Sequence, residues 1–151
     1  MTFDSMDALK NYILSRSKVA IQMAQEKVYQ VIDRFVKEYY AEYDPIVYER
    51  TYQLYRSLVK ADIQQTANGW EAEIYFDLDA LDYHMRRMNG KWYSRKDNSW
   101  SEQKTLSSAA HGHHGGKYAG TAIWDEPMIV LWKNKHDILK KALLDAGIPV
   151  K

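Results

Sequence analysis

The chain has 151 residues, a formal net charge of +1 and no cysteine, and 46% of its residues are hydrophobic. This length predicts one domain that can bury a core. A charge near zero gives no global attraction to nucleic acid or to an anionic membrane. The lack of cysteine excludes disulfides, zinc ribbons and thiol nucleophiles. The 12 tyrosines and 5 tryptophans are more than usual, and such residues are favoured in cores and interfaces.

The first ten residues, MTFDSMDALK, contain two aspartates and no apolar stretch of the kind that a signal peptide needs. No apolar run is long enough to span a bilayer. We therefore expect the protein to be made and folded in a cytoplasm.

A long first helix is predicted from about residue 5 to residue 40. Apolar residues recur there at three- and four-residue spacing, and no proline occurs before Pro45. Ser5 or Asp4 is the expected N-cap. At ~1.5 Å per residue such a helix reaches roughly 50 Å. Because a compact domain of this size does not need that length, the helix is expected to contact something outside its own domain.

A β-hairpin is predicted from about residue 54 to residue 77, because segments of alternating polarity flank Asn68-Gly69. Asn-Gly is the preferred pair for a two-residue type I′ turn, in which both residues have a positive φ. Before the turn, every second residue from Tyr55 to Ile63 is expected on the buried face. After the turn, four residues share one face: Trp70, Ala72, Ile74 and Phe76.

The second half of the chain has a weaker pattern. A short helix could form over residues 77–89, and residues 90–121 show no sustained periodicity, which predicts a long loop that is functional or ordered by a partner. A last helix is predicted from about residue 125 to residue 146. Asp125 is its expected N-cap, Gly147 its C′ residue, and Pro149 prevents continuation. Its predicted apolar face consists of Met128, Leu131, Ile138, Leu139, Ala142 and Leu143.

The order of these elements indicates an α+β fold in a single domain, residues 1–151. It comprises a long N-terminal helix, an antiparallel hairpin or sheet, a long loop, and a C-terminal helix packed on the sheet.

The histidine-rich motif HGHHGG, residues 111–116, is the segment that most suggests a metal or catalytic site. The imidazoles of His111, His113 and His114 could bind a transition metal. A zinc site needs ligands on a rigid scaffold with supporting hydrogen bonds, whereas the neighbouring glycines favour a flexible polar loop. We therefore expect no metal and no cofactor, and keep the three histidines as candidates.

A basic and aromatic cluster follows the predicted hairpin. Single-stranded nucleic acid is bound by such mixtures through phosphate contacts and base stacking. The alternative is a solvated loop, or one that meets an acidic neighbour, because the net charge is near zero. A weaker role is a basic lining that tolerates passing DNA. The cluster consists of His84, Arg86, Arg87, Lys91, Arg95 and Lys96, interleaved with Tyr83, Trp92 and Tyr93.

Motifs of known enzyme classes do not occur in the sequence. The carboxylates Asp77, Asp79, Asp82, Glu71 and Glu73 fit cap and surface charges better than the paired groups of acid–base catalysis. There is no glycine-rich phosphate loop and no GxSxG. The protein is expected not to be an enzyme.

Three short motifs occur in order along the chain. The first is a tyrosine-rich helix end followed by Y-x-R-T-x-x-L-x-x-S, here Tyr48, Arg50, Thr51, Leu54 and Ser57. The second combines residues 111–112 (HG), Gly120 and residues 123–126 (IWDE), and the third is residues 147–149 (GIP). Together they resemble the neck proteins of tailed phages, which are also called head–tail joining, head–tail connector or tail-completion proteins. This family is common in siphophages and prophages of Gram-positive bacteria.

The resemblance implies a structural virion protein that forms a homo-oligomeric ring at the portal–tail junction, around the DNA channel. Its partners would be further copies of itself, a head-completion or adaptor protein on one side, and the tail tube or tail terminator on the other. DNA would pass through without sequence-specific binding, and no membrane would take part. The protein would be made in the host bacterial cytoplasm and would end in the virion neck. Residues 90–121 depart from many members, which have a brief glycine-containing strand there.

Two sets of residues are expected to act in that role. The hairpin-positioning and assembly residues are Tyr48, Arg50, Thr51, Leu54, Trp92, Tyr93, Trp100 and Trp124, and the basic residues facing the channel are Arg86, Arg87, Lys91, Arg95 and Lys96. Two alternatives stay open. One is a non-catalytic oligomeric interaction module unrelated to virions. The other is a metal- or nucleic-acid-binding protein that uses residues 111–114 and the basic segment 84–96.

Overall fold

The computed structural model describes residues 2–42, 52–81, 85–88, 90–94, 102–114 and 118–150. These residues form four helices, α1 (Met6–Glu42), α2 (Gln53–Arg56), α3 (Glu102–Ala110) and α4 (Asp125–Asp145). They also form eight short strands: β1 (Leu58–Lys60), β2 (Gln64–Thr66), β3 (Gly69–Glu71), β4 (Ile74–Phe76), β5 (Met85–Met88), β6 (Lys91–Ser94), β7 (His113–His114) and β8 (Tyr118–Ala119). The strands pair two by two, as β1–β4, β2–β3, β5–β6 and β7–β8. The predicted α+β class is confirmed.

The chain divides into two compact units. The first unit comprises Met1–Gln30, Lys60–Ile74 and Leu131–Lys151, and the second comprises Val31–Val59 and Tyr75–Val130. Both α1 and α4 contribute residues to each unit. The expectation of one domain over the whole chain stays a prediction.

The long first helix is confirmed, and α1 begins where its cap predicts. The backbone N–H of Ala8 donates to Ser5 Oγ at 3.1 Å, which makes Ser5 the N-cap. In the first unit, small side chains from α1, from α4 and from the residue that follows α4 form a core cluster of Ala20, Ala142 and Ala146. Val19, Ala24 and Leu143 pack against this cluster. Small residues let two helices approach closely, because interaxial distance depends on the side chains at the contact.

The predicted hairpin turn is shifted by one residue. The register pairs Thr66 with Gly69, so the two turn residues are Ala67 and Asn68 rather than Asn68 and Gly69. Gly69 has φ 151°, whereas Asn68 has no positive φ, which excludes the expected type I′ turn. Glycine therefore acts here as the first residue of β3, where its backbone freedom is used.

The two arms of the hairpin are interrupted at residues 61–63 and 72–73, where Gln25 of α1 inserts. Its side-chain amide donates to the carbonyl oxygens of Ala61 at 2.8 Å and Glu73 at 3.0 Å, and Gln25 is 8% exposed. Within this break the Ala61 N–H donates to Glu73 O at 3.1 Å, so one backbone bond still joins the arms. The Gln25 amide therefore gives the Ala61 carbonyl a donor and the Glu73 carbonyl a second one.

The start of the predicted first strand is helical instead. Residues 53–56 form α2, and Leu54, Ser57 and Leu58 are buried while Val59 is only half-buried. The predicted alternation nevertheless holds, because Tyr55, Val59, Ala61 and Ile63 are half-buried whereas Arg56, Lys60, Asp62 and Gln64 are exposed. It also holds after the turn. Phe76 is buried and Trp70, Ala72 and Ile74 are half-buried, while Glu71, Glu73 and Tyr75 are exposed.

The helix considered for residues 77–89 is wrong. Residues 85–88 form β5, which pairs with β6 so that Met88 lies opposite Lys91 across Asn89-Gly90. Gly90 has φ 75°. This second Asn-Gly pair was the available signal for a hairpin, and it was hidden by methionines and leucines at helical spacing.

The predicted loop over residues 90–121 contains regular structure in its described parts: β6, α3, β7 and β8. The β7–β8 pair is closed by Gly120 N–H, which donates to Gly112 O at 2.5 Å. A Cβ on Gly112 would overlap the Gly120 carbonyl oxygen, and Gly112 has φ 75°. These elements are short and irregular, so they leave little periodicity in the sequence.

The last helix ends as predicted. Gly147 has φ 84°, its N–H donates to Leu144 O at 2.9 Å, and Ile148 N–H donates to Leu143 O at 2.8 Å. These two bonds form a Schellman motif. One residue of the predicted apolar face is misplaced, since Leu139 is 44% exposed. Across the described ranges, no helix has the length and apolar character needed to cross a membrane.

Candidate functional site

A cluster of tyrosines lies at the end of α1, in the second unit. The Tyr39 and Tyr40 rings meet edge to face at 5.7 Å between centroids, and Tyr40 stacks on Tyr52 at 5.0 Å. Tyr52 has φ 55°, a conformation that costs energy in a residue with a side chain. The sequence showed a tyrosine-rich helix end, but not that its rings pack on the start of the hairpin segment.

The hairpin-positioning residues are only partly covered by the structure. Leu54 lies in α2 and is 3% exposed, and its carbonyl accepts the Ser57 hydroxyl at 2.8 Å. Ser57 is fully buried, and its own carbonyl accepts Asp77 N–H at 2.7 Å. Leu54 and Ser57 therefore hold the start of β1 in place. Three other members of that set, Tyr48, Arg50 and Thr51, lie outside the described residues.

Two histidines of the HGHHGG motif, His111 and His113, make contacts with different partners. His111 Nδ1 lies 2.7 Å from Asp125 Oδ2, whereas the His113 carbonyl accepts the hydroxyls of Tyr39 at 3.3 Å and Ser108 at 3.2 Å. His114 belongs to β7. No group of three potential metal ligands occurs in the part of the chain that the structure describes.

A shallow depression of about 490 Å³ lies beside two of the histidines. Asp125 already occupies one nitrogen of the His111 ring, and Ser108 already donates to the backbone. The depression therefore offers surface hydroxyls and imidazoles without a preorganised set of ligands. Its lining consists of Gln103, Lys104, Ser107, Ser108, His111 and His113.

A connection that the sequence did not predict joins the end of α1 to the segment before α4. The Glu42 carboxylate accepts Thr121 N–H at 2.6 Å and also accepts the Thr121 hydroxyl. Thr121 is buried, and Ile123 behind it is fully buried. Because 79 residues separate the two partners, no local pattern could reveal the pair.

The basic and aromatic cluster is organised by the β5–β6 hairpin. Its register places Arg86 opposite Tyr93 and Arg87 opposite Trp92, with Lys91 beginning β6. The sequence had placed these residues in a helix and a loop. Other members of the cluster and of the assembly set, among them Arg95, Lys96 and Trp100, fall in ranges that are not described.

Trp124 is an assembly candidate whose side-chain contacts and exposure are both described. It directly precedes α4, and its ring meets Phe76 edge to face at 6.3 Å between centroids. It is 36% exposed, whereas its neighbour Ile123 is fully buried. Part of the Trp124 ring is therefore core and part is surface.

Trp132 on α4 was not singled out from the sequence, yet it is among the most exposed large apolar side chains described, at 72%. Lys135 Nζ lies 3.1 Å from the centre of its ring. Two turns further along the same face is the exposed Leu139. The spacing of Trp132, His136 and Leu139 was an available signal for a second apolar stripe.

An apolar groove of about 740 Å³ also lies in the first unit, between the start of α1 and the end of α4. The Phe3 and Tyr12 rings pack at 5.1 Å, and the Tyr12 hydroxyl donates to Gly147 O at 3.3 Å. Both contacts bring the segment before α1 and the segment after α4 against Tyr12. The groove is lined mainly by Phe3, Leu9, Tyr12, Ile13, Leu144 and Ile148.

Each of two surface ion pairs that involve α1 shifts the pKa of one of its two residues. The hydrogen bond from Lys60, at 2.5 Å, and a second one from Gln30 lower the pKa of Glu26. Asp33 accepts from Lys37 at 2.7 Å and raises the pKa of Lys37. The side chains of both pairs are partly exposed, as expected for ion pairs at the helix surface.

The features described so far define a small α+β protein with large apolar side chains on its described surface. The model of the YomN family, described as YomN, matches residues 5–145, so the chain belongs to the YomN family. The name comes from a phage or prophage region of Bacillus, which indicates a phage-associated protein. No curated protein and no solved structure was found to match the chain.

Proposed function

We propose that the protein is a structural component of the virion neck. It assembles as a homo-oligomeric ring at the portal–tail junction and joins head and tail around the DNA channel. A head-completion or adaptor protein binds on one side and the tail tube or tail terminator on the other. The protein is made in the host cytoplasm and has no catalytic role.

The observation that carries this proposal is the exposed apolar surface of a phage-associated chain. Trp132, Leu139 and Ile13 are all more than two-fifths exposed, and an apolar groove lies in the same unit. Solvent-exposed apolar patches mark surfaces that a partner covers. A ring subunit needs two such surfaces, because each copy contacts a neighbour on both sides.

The basic residues of the β5–β6 hairpin support a place beside DNA. Arg86 and Arg87 lie in β5 and Lys91 begins β6, so all three belong to one hairpin. A lining of few cations on a protein of net charge +1 attracts the DNA backbone without holding it, since affinity for DNA grows with the number of phosphates neutralised. DNA passes such a lining without sequence readout.

The decisive experiment is to label the protein in induced phage particles and to image them by electron microscopy. Label at the head–tail junction is the expected result. A deletion of the gene should in addition leave filled heads and free tails that do not join. The matched control is the same deletion complemented with the unmodified gene.

Particles that lack the protein, with heads and tails joined normally in the deletion, would overturn the neck assignment. The interaction module unrelated to virions would then be the better reading. Metal- or nucleic-acid binding by residues 111–114 and 84–96 would be tested next, by metal analysis of untagged protein and by titration with single-stranded DNA.

A further inference from the structure

The apolar groove lies between two antiparallel helices of the first unit. The Tyr12 hydroxyl of α1 donates to Gly147 O, just after α4. Ala20, about two turns further along α1, packs with Ala142 and Ala146. Residue numbers that rise along α1 therefore lie opposite numbers that fall along α4.

The lining of the groove is open to solvent. Three of its side chains, Phe3, Ile13 and Leu144, are 36%, 45% and 49% exposed. An apolar patch of this kind marks a surface that a partner covers. An enclosed cavity would suit a small apolar molecule, whereas an open groove fits the apolar face of a helix whose other face stays in water.

The α1 side of the groove carries positive charge. Arg16 lies one turn after Tyr12 on the same face of α1, and its guanidinium carbon is 5.5 Å from the centre of the Tyr12 ring. Lys10 adds an exposed cation to this rim. The carboxylates of this segment lie elsewhere. Asp7 is about 180° around the helix from Arg16, and Asp4 precedes α1 at the other end of the groove.

The α4 side carries positive charge at the same end. The exposed Lys140 lies one turn before Leu144 on the same face of α4. Because the two helices are antiparallel, this lysine and the arginine of α1 lie at the same end of the groove. Asp145 already pairs with Lys141 at 3.4 Å, and Asp137 lies one turn further from the groove than Lys140. The groove therefore combines an apolar lining with one cationic end.

We propose that the groove binds an amphipathic helix of a different protein, whose apolar face is followed by acidic residues at the C-terminal end of that helix. Apolar side chains at i, i+3 and i+4 fill the groove. The acidic end lies against Arg16 and Lys140, which also favour the negative end of the helix dipole. A second copy of this chain fits less well, because its exposed Trp132 face carries Lys133 and Lys135 and would oppose cations to cations.

The inference rests on the proposed neck function for the origin of this helix, which belongs to the neighbour on the head side or on the tail side. The chemistry of the groove is tested on the pure protein with two synthetic, fluorescein-labelled helical peptides. Both peptides share one leucine-rich apolar face, and one ends in glutamates whereas the other ends in lysines. Fluorescence anisotropy measures their affinities for the full-length chain at low and at high salt.

The glutamate peptide is expected to bind roughly tenfold more tightly than the lysine peptide at low salt, and the advantage should shrink at high salt. Arg16→Glu combined with Lys140→Glu should reverse the preference. Lys27→Glu combined with Lys133→Glu is the matched control, because it changes the net charge equally at exposed positions further along the same helices. This control should keep the preference of the wild type.

Two further variants keep the test independent of any one substitution. Arg16→Gln combined with Lys140→Gln should remove the preference without reversing it, and circular dichroism checks that each variant is folded. Ile13→Asn should weaken the binding of both peptides, because it places a polar group in the groove.

Equal affinities of the wild type for the two peptides would overturn the proposal, as would a preference that the control variant loses too. Binding of sodium decanoate but of neither peptide would assign the groove to a lipid anion. Self-association that Ile13→Asn abolishes, with no peptide bound, would assign it to a second copy. Either result would overturn the proposed helix.

This test separates the groove from the neck function. A preference for the glutamate peptide together with particles that lack the protein would retain the groove chemistry and reject the neck. Label at the head–tail junction without such a preference would retain the neck and reject the proposed helix.

Discussion

Gln25 is a single residue on which the geometry of the hairpin depends. Its amide is the described side-chain donor to Ala61 O and Glu73 O at the break between the two pairs of strands. Glu73 O also accepts Ala61 N–H, so loss of the amide deprives chiefly the half-buried Ala61 carbonyl of its donor. A carbonyl that is shielded from water bears a desolvation cost when its donor is lost. A polar residue on the inner side of α1 is therefore structural.

We expect Gln25→Met to lower the free energy of unfolding by about 1–3 kcal/mol, because methionine keeps the volume and removes the donor. Urea denaturation followed by circular dichroism measures the change. Gln22→Met, at an exposed position of the same helix, is the matched control and should have little effect. Equal changes in both variants would contradict the role given to Gln25.

Glu26 links stability to pH at the surface. Its pKa is lowered in the folded state, chiefly by the hydrogen bond from Lys60 and then by that from Gln30. A carboxyl group whose pKa is lowered by folding stabilises the protein at any pH above its unperturbed pKa, here 4.5. This contribution is lost as the pH falls through the pKa of the folded state.

We therefore expect Glu26→Gln to destabilise the protein near neutral pH and to have a diminishing effect as the pH falls below 4.5. Urea midpoints of wild type and variant, measured from pH 7 to acid, provide the comparison. Glu71→Gln, on the exposed surface of β3, controls for loss of a negative charge. A difference from wild type that stays constant over this range would argue against the linkage.

At the scale of elements, local signals predicted the two long helices well. Ser5 capping and the Schellman motif at Gly147 depend on neighbours within a few residues, so the sequence contains them. The short strands were harder to predict. The Asn68-Gly69 pair predicted a hairpin but misplaced its turn. The β5–β6 hairpin lies where apolar spacing predicted a helix.

Substitutions at two glycines with the same φ distinguish the cost of backbone strain from the cost of steric overlap. Gly90 and Gly112 both have φ 75°, but space around Gly90 is open, whereas a Cβ at Gly112 meets backbone of residues 120–122. The β7–β8 closure therefore requires glycine at position 112 for two reasons.

Gly90→Ala should cost about 1–2 kcal/mol, the penalty of a left-handed residue with a side chain, and Gly112→Ala should cost clearly more. Thermal or urea unfolding of both variants measures the difference. Asparagine tolerates positive φ, so Gly90→Asn should recover part of the loss and Gly112→Asn should not. A Gly112→Ala variant as stable as Gly90→Ala would show that the closure relaxes.

At the scale of the whole molecule, the described surface separates residues needed for folding from residues available for assembly. Leu131 and Trp132 are adjacent on α4, yet Leu131 is buried and Trp132 is mostly exposed. One face of α4 therefore packs in the core, and another face exposes Trp132.

Leu131→Ala should lower the free energy of unfolding by about 2–5 kcal/mol through loss of buried contacts. Trp132→Ala should change it by about 1 kcal/mol or less and should instead weaken self-association, as sedimentation velocity at high protein concentration would show. If Trp132→Ala were as destabilising as Leu131→Ala, Trp132 would belong to the core of the folded chain.

The sequence by itself determined the α+β class, the two long helices with the Ser5 N-cap and the Gly147 C-terminal motif, and the presence of a hairpin around residue 68. These features depend on periodicity and on contacts between near neighbours. Asp125, the expected N-cap of the last helix, is instead its first residue. Only the tertiary structure decided where the turn lies, that Gln25 bridges the hairpin arms, that Glu42 binds Thr121, and that Leu139 is exposed. The physical reason is that each of these outcomes depends on residues distant in sequence, whose packing overrides local preference.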